Sequence, residues 1–131
     1  MQKQAMGAVK SAFLFGAILG LTGVILGAMG AHALETRLTA DQLESWQTAT
    51  RFQMYHALAL LILGLLNHHF GDRLLRWAGI AMTLGTLCFS GSIYLLVTTD
   101  WPIGLVTPLG GTILIIGWAL LIGWAVKFKQ K

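Results

Sequence analysis

Charged residues are scarce in this sequence. Asp, Glu, Lys and Arg make up 11% of 131 residues, whereas a soluble domain usually carries about 25%. Hydrophobic residues make up 56%, and the mean hydropathy is +0.71. A soluble protein this apolar would have too few charges to cover its surface, but a bilayer accepts an apolar exterior. The composition therefore excludes an ordinary soluble domain and indicates a single integral membrane domain over residues 1–131.

The residue types of common catalytic and metal sites are also few. Cys88 is the only cysteine, so it forms no intrachain disulfide, and it lies in an apolar run. A buried thiol without a nearby base is an unreactive small hydrophobe. The sequence contains no nucleophile–base pair, phosphate-binding loop or zinc-ligand spacing. We therefore expect no enzymatic activity and no bound metal.

The net charge of +4 could suggest a nucleic-acid partner, but the positions of the charges oppose it. All nine Lys and Arg residues lie outside the long apolar runs. No basic stripe alternates with aromatic residues, as a nucleic-acid surface requires. We expect these charges to meet lipid headgroups, so that the bilayer is the first partner and nucleic acid is not one.

Four apolar runs are candidate transmembrane spans, at about residues 11–30, 52–67, 77–99 and 105–126. A helix of about 20 residues crosses about 30 Å of hydrocarbon. We therefore predict an all-α, integral membrane four-helix bundle. Lys3 and Lys10 before the first run, with Ala31-His32-Ala33 after it, also resemble a secretory signal. The run is longer than a signal core of about 7–15 residues, and we expect the segment to be retained.

The second helix is predicted to begin well before its apolar run. Thr39-Ala40-Asp41-Gln42 has the spacing of a capping box, flanked by Leu38 and Leu43 as a hydrophobic staple. A helix starting near Ala40 would be an amphipathic extension that enters the bilayer near Arg51. In the fourth helix, Thr107 before Pro108 predicts an N-cap followed by proline at the first helical position. Residues 101–106 are then an apolar loop.

Basic residues predict the orientation of the spans. Two lie in the N-terminal tail, two in the loop between spans two and three, and three in the C-terminal tail. The opposite side has only Arg37 and Arg51. We therefore predict an inner (plasma) membrane protein with both termini in the cytoplasm. Trp46 and Trp101 would then lie at the outer interface of the membrane.

Small residues recur at helical spacing and predict close helix packing. In lipid, helices associate through close contact and hydrogen bonds because the hydrophobic effect does not drive them together. The partner of each stripe could be in the same chain, a second copy or another protein. The glycines predicted to pack are Gly16, Gly20, Gly23, Gly27, Gly30, Gly85, Gly110 and Gly117.

Polar residues gather toward the outer ends of the spans. Such groups are costly within a bilayer and are therefore candidates for function. Because successive spans run in opposite directions, we expect them to share one depth and form a single polar cluster. Its members are His32, Arg51, Gln53, Tyr55, His56, Ser90, Ser92, Tyr94 and Thr107.

Several roles are open for His56. It could be a neutral histidine that hydrogen-bonds a neighbouring helix. It could belong to a proton or ion path with Tyr55 and His32, although no Asp or Glu continues that path through the inner half of any span. His32 and His56 could instead be axial haem ligands, or with nearby Met29 and Met54 could bind copper. We expect no cofactor.

These residues bring the sequence close to a known family. It resembles the domain-of-unknown-function family 423, the YgdD-like small bacterial membrane proteins related to eukaryotic transmembrane protein 256. The resemblance covers about residues 11–126. Met29 stands where many relatives are expected to have an aromatic residue. The segments that carry it are Gly27-Ala28-Met29-Gly30-Ala31-His32-Ala33-Leu34, Tyr55-His56-Ala57-Leu58-Ala59-Leu60, Phe89-Ser90-Gly91-Ser92-Ile93-Tyr94, Thr107-Pro108-Leu109-Gly110-Gly111 and Gly117-Trp118.

The resemblance implies a four-helix inner-membrane protein of unassigned function and supplies no catalytic residue. Our leading hypothesis is a structural or accessory subunit that forms homo-oligomers or joins a larger membrane complex through its glycine-lined faces. The alternative is a small transporter or channel subunit for protons, ions or a small solute, with His56, His32 and Arg51 lining a polar entry.

Overall fold

The computed structural model describes the backbone of residues 2–130 and the side chains of residues 6–130. Its four helices are α1 (Gln2–Ala31), α2 (Ala40–Phe70), α3 (Arg73–Thr98) and α4 (Val106–Lys127). All four are long and apolar enough to cross a membrane, and the described residues contain no strand. The predicted all-α fold with four membrane helices is confirmed. The side chains of Lys3 and Lys131, which contribute to the charge bias, lie outside the described residues.

The start of α2 is fixed by a capping box. The Gln42 backbone N–H donates to the Thr39 hydroxyl (3.2 Å), and the Thr39 N–H donates to Gln42 Oε1 (3.0 Å). These bonds satisfy amide donors that have no partner within the helix. The helix therefore begins at Ala40, as the sequence predicts, and the uncharged run from residue 52 is its continuation.

Only two residues join α2 to α3. Gly71 ends α2 in the left-handed conformation (φ +59°), which glycine adopts without steric cost, and its N–H donates to Asn67 O at 2.8 Å. Asp72 then caps α3 by accepting from the Leu74 N–H at 2.7 Å. The Asn67 side chain accepts from the Asp72 N–H at 3.1 Å. This tight turn makes α2 and α3 antiparallel neighbours.

The connection from α3 to α4 confirms one prediction and corrects another. Residues 99–105 lie outside both helices, so the apolar loop predicted at 101–106 is present, although Val106 already belongs to α4. Thr107, however, is not the N-cap: α4 begins at Val106, and Leu105 occupies the cap position without a side-chain hydrogen bond. Leu105 already has helical backbone angles (φ −74°, ψ −19°), so the helix begins before Thr107. The Thr107 hydroxyl instead lies 2.5 Å from Ser92 Oγ on α3.

The helices form an open bundle. In the described residues, α1 packs along α2, α2 along α3 and α3 along α4, while α1 touches α3 only slightly. The backbone of α4 approaches no helix except α3. The centre of the core lies where α2 faces α3 and includes Leu60, Leu63, Leu75, Ala78 and Met82. Much of α1 and α4 therefore faces outward.

The glycine stripe of α1 divides between an inner and an outer face. A Cβ atom on Gly16 would lie 3.0 Å from Ala57 O, and one on Gly30 would lie 2.6 Å from Trp46 Cδ1. Gly23 similarly faces Met54. Gly20 would make only a 3.9 Å contact, and Gly27 would meet nothing within 4 Å. Three of the five glycines thus allow close contact with α2, whereas Gly27 faces open space.

The glycines of α3 and α4 serve the contact between those two helices. A Cβ on Gly110 would collide with the backbone of Cys88 and Phe89, and one on Gly85 would lie 2.7 Å from the Leu114 side chain. Gly117 packs against Met82, at 3.0 Å from such a Cβ. All three glycines therefore act in packing within the chain.

Candidate functional site

Gln53 is the centre of a hydrogen-bonded network that joins three helices. Its side chain is only 3% exposed. Its Nε2 donates to the Leu19 carbonyl of α1 (2.9 Å) and to the Thr22 hydroxyl (2.7 Å). Its Oε1 accepts a bond of 2.6 Å from the Tyr94 hydroxyl of α3. One amide group of α2 therefore holds both neighbouring helices.

Trp46 extends this network by two turns toward the α1–α2 loop. Its indole N–H donates to the Leu26 carbonyl of α1 at 2.8 Å, and its ring fits the notch at Gly30. The other side of the indole packs on Tyr94, with ring centroids 4.7 Å apart. Trp46 is only 3% exposed, so it is a packing residue between helices rather than a member of a lipid-facing belt.

Two further hydroxyl groups link α3 to α2 and to α4. Ser90 donates to the Ala49 carbonyl of α2 at 2.7 Å, and Ser92 pairs with Thr107 of α4. Both serines are buried. In a bilayer, hydrogen bonds of this kind hold helices together without help from the hydrophobic effect.

His56 hydrogen-bonds through both ring nitrogens. Its Nδ1 lies 2.7 Å from the Phe52 carbonyl, and its Nε2 lies 3.0 Å from the indole Nε1 of Trp118 on α4. A carbonyl only accepts and an indole N–H only donates. This geometry therefore assigns the proton to Nδ1 and the lone pair to Nε2, which is a neutral imidazole.

The His56–Trp118 pair lies beside a cleft between α2 and α4. The cleft has a volume of about 390 Å³, and its lining includes Phe52, Pro108 and Gly111. The backbones of α2 and α4 do not meet, so this bond between side chains bridges a real gap. Because Trp118 lies near the middle of α4, His56 is close to mid-depth in the bundle. The sequence had placed it in the outer half.

The predicted polar cluster is not one cluster in the structure. Gln53 and Tyr94 meet directly, Ser92 meets Thr107, and Ser90 and His56 have separate partners. The other three predicted members, His32, Arg51 and Tyr55, are exposed, Tyr55 by 58%. The side chains point in different directions around their helix axes, so residues at one depth can still point away from one another.

His32 and His56 lie at different levels. Gly30 of α1 is opposite Trp46, and Gly16 is opposite Ala57. His32 follows Gly30 by two residues and is therefore at least about ten residues of α2, roughly 15 Å or more at 1.5 Å per residue, from the level of His56. The two imidazoles therefore do not face each other at one level of the bundle. Within the described residues, no group of three or more His, Cys, Asp and Glu side chains is placed to hold a metal ion.

Nearly all buried polar side chains have partners inside the protein. In the described part of the chain, seven polar side chains are buried: Thr50, Gln53, His56, Asn67, Thr86, Ser90 and Ser92. Only Thr86 has a fully buried oxygen without a hydrogen-bond partner. The site therefore consists of local bonds between neighbouring helices, and these bonds do not join into a chain across the bundle.

Three partners in these bonds were not among the predicted site residues. The Thr22 hydroxyl accepts from Gln53, the Trp46 indole donates to the Leu26 carbonyl, and the Trp118 indole donates to His56 Nε2. A signal existed for Thr22, because it precedes Gly23 in the stripe that faces α2. Trp118 was separable from the interfacial tryptophans by its depth in the fourth run. No feature of the sequence identified which nitrogen or carbonyl each would meet.

The four helices and their internal polar bonds define a small multi-span membrane protein. The chain belongs to the family described as Protein of unknown function (DUF423), whose model matches residues 26–111. The resemblance drawn from the sequence is thus confirmed. The matched region runs from the end of α1 to the first turns of α4 and contains Gln53 and Tyr94, while Leu19 and Thr22 precede it.

Named relatives cover nearly the whole chain. It is 40% identical to a UPF0382 membrane protein of Staphylococcus aureus over 121 residues, which is 92% of this chain and 98% of that one. It is also 40% identical to the UPF0382 membrane protein YwdK of Bacillus subtilis, over 92% of this chain and 99% of that one. No solved structure matches the chain. The protein is therefore a small membrane protein of unassigned function.

Proposed function

We propose that the protein is a non-enzymatic structural or accessory subunit of the inner (plasma) membrane, which associates with copies of itself or with a larger membrane complex. The observation that supports this role most strongly is the use of its polar groups. Six of the seven buried polar side chains in the described residues form hydrogen bonds within the protein. Side chains engaged in this way hold helices in place and leave few free groups for chemistry.

Transport is less well supported because the core of the bundle is apolar between His56 and the end of the bundle that holds the chain termini. Leu60, Leu63, Leu75 and Met82 lie between His56 and the ends of the helices near both termini, and each is at most 1% exposed. A proton or ion path needs polar groups or water at each step. Proton flux in proteoliposomes that His56→Ala abolishes would instead establish a transporter.

The outward face of α1 is a candidate association surface. Gly16, Gly23 and Gly30 pack against α2, but Gly27 lies beside open space. Exposed apolar side chains lie about one turn before and after it on the same face, namely Val24 (62% exposed) and Ala31. A small residue between larger apolar ones lets a second helix approach closely. The partner is therefore expected to be another transmembrane helix.

Gly27→Leu tests this surface. A Cβ atom added there meets no other part of the protein within 4 Å, so the fold and its stability should be retained. Association is measured by native mass spectrometry of protein extracted in polymer-bounded lipid discs. The affinity for a second copy or a co-purifying partner should fall about tenfold if packing worth about 1.4 kcal/mol is removed.

Gly7→Leu is the matched control, because that position also has no neighbour within 4 Å but precedes the apolar run. It should leave association unchanged. A wild-type protein that is strictly monomeric and free of partners in such discs would refute the proposed role.

The cytoplasmic location of both termini rests on the positive-inside rule and is tested by labelling. In a Cys88→Ser background, Thr36→Cys places a thiol in the α1–α2 loop and Gln130→Cys places one after α4; both positions are exposed. A membrane-impermeant maleimide should label Thr36→Cys in intact cells and Gln130→Cys only after permeabilisation. The reverse pattern would invert the proposed topology.

A further inference from the structure

A groove runs between α1 and α3 in the half of the bundle that is nearer the chain termini. These two helices barely touch, and α2 forms the floor between them. The groove has a volume of about 360 Å³. Its walls include Ala12 and Phe15 of α1 and Gly79, Leu84 and Leu87 of α3. The space is open on one side, and its lining is almost entirely apolar.

Small side chains keep this groove open. A Cβ on Gly79 would meet nothing within 4 Å, whereas one on Gly85, two turns further along α3, would strike Leu114. Gly79 is thus not used for contact between helices. Ala12 on the opposite wall is also small, so the two helices face each other across a gap.

One end of the groove is cationic. Arg76, in the first turn of α3, lines that end together with Asn67 and Ser11. Arg76 is half-buried at this position. The only acidic residue at this end of the bundle, Asp72, is engaged in capping α3 through the Leu74 N–H. Lys10, exposed beside Ser11, adds to the positive charge.

The length of the groove matches one leaflet. Arg76 and Leu87 are 11 positions apart on α3, which is roughly 16 Å at 1.5 Å per residue. Half of a hydrocarbon core of about 30 Å is nearly the same length. A ligand that fits would have an anionic head beside Arg76 and an apolar tail of about one leaflet.

We propose that this groove binds one anionic phospholipid from the leaflet on the side of the chain termini. The phosphate is held by Arg76, and one acyl chain lies along Gly79 toward Leu84 and Leu87. A guanidinium group suits a phosphate because its N–H donors can contact two oxygens at once. A protein helix in the same place would leave Arg76 facing an apolar surface.

Lipid retention by the full-length protein tests this site. Protein in a neutral detergent is titrated with phosphatidylglycerol or with phosphatidylcholine of identical acyl chains, and bound lipid is counted by native mass spectrometry. Wild-type protein should retain one phosphatidylglycerol, with phosphatidylcholine bound at least about fivefold more weakly, the factor expected for one basic side chain at a membrane surface. Arg76→Gln should remove this preference, and Arg76→Lys should keep part of it.

Two further variants separate the groove from general charge attraction. Arg73→Gln removes an exposed positive charge one turn away that does not line the groove, and it should bind phosphatidylglycerol as the wild type does. Gly79→Leu places a side chain in the groove from a position where an added Cβ meets nothing within 4 Å, and it should weaken the binding of both lipids while the protein stays folded. This variant also tests the proposal if Arg76→Gln does not fold.

Photo-crosslinking shows where the lipid lies. Phosphatidylglycerol with a diazirine at the end of one acyl chain should label peptides that contain Leu84 and Leu87. Equal retention of the two lipids, equal losses in Arg76→Gln and Arg73→Gln, or labelling confined to another face would overturn the proposal. Crosslinking of a protein helix to these residues in native membranes would also overturn it.

Discussion

Gly110→Ala is expected to lower the free energy of unfolding by about 2–3 kcal/mol, near the upper end of the cost of overpacking. A single methyl group at this position would collide with the backbone of Cys88 and Phe89 on α3. A backbone cannot rotate away as a flexible side chain can, so α3 and α4 must separate. The gain in helix propensity from alanine, about 1 kcal/mol at most, offsets only part of the loss.

The neighbouring Gly111→Ala is the matched control. Its Cβ would lie 3.7 Å from the Phe89 ring, an ordinary contact, so the variant should be as stable as the wild type or slightly more stable. Both variants are compared by equilibrium unfolding in mixed micelles with increasing dodecyl sulfate, followed by far-ultraviolet circular dichroism. Equal stability of the two variants would show that α3 and α4 are not packed through Gly110.

Trp46→Ala is expected to cost about 3 kcal/mol, the low end of the range for a buried aromatic residue. The low end applies because lipid, unlike water, does not penalise the exposed apolar surface. The variant empties the notch at Gly30, removes the bond to the Leu26 carbonyl and strips one face of Tyr94. It should also loosen the contact between α1 and α2, detected as faster amide hydrogen exchange in both helices.

Trp101→Ala is the control for the loss of an indole. Trp101 is 57% exposed in the loop between α3 and α4, so its removal should change the free energy of unfolding by less than about 0.5 kcal/mol. If Trp46→Ala were as mild as Trp101→Ala, Trp46 would belong to a lipid-facing belt, as the sequence first indicated, and would not fasten α1 to α2.

The elements of the fold were predictable because they depend on local patterns. Runs without charge predict membrane helices, and Thr39 with Gln42 predicts the start of α2 within one residue. The same local logic was wrong at Thr107, where the preceding leucine already has helical backbone angles. The Thr107 hydroxyl pairs with Ser92 on α3 instead of capping the start of α4.

The polar site was predictable in composition but not in connection. Gln53, Ser90 and Tyr94 were identified because polar groups at membrane depth are costly. Which of them meet depends on the rotation and register of each helix, and these follow from packing across the bundle. His32 and Tyr55 share residue types with the buried members, yet they lie on outward faces.

The bond between Gln53 and Tyr94 tests most directly whether the buried polar side chains fasten the helices together. Gln53→Leu, Tyr94→Phe and the double variant form a cycle, with the free energy of unfolding measured in lipid bilayers. The account predicts a coupling energy of about 1 kcal/mol, which lies between the average of about 0.6 kcal/mol and the maximum of about 1.7 kcal/mol known for bonds between membrane helices. A coupling energy indistinguishable from zero, with both single variants as stable as the wild type, would contradict it.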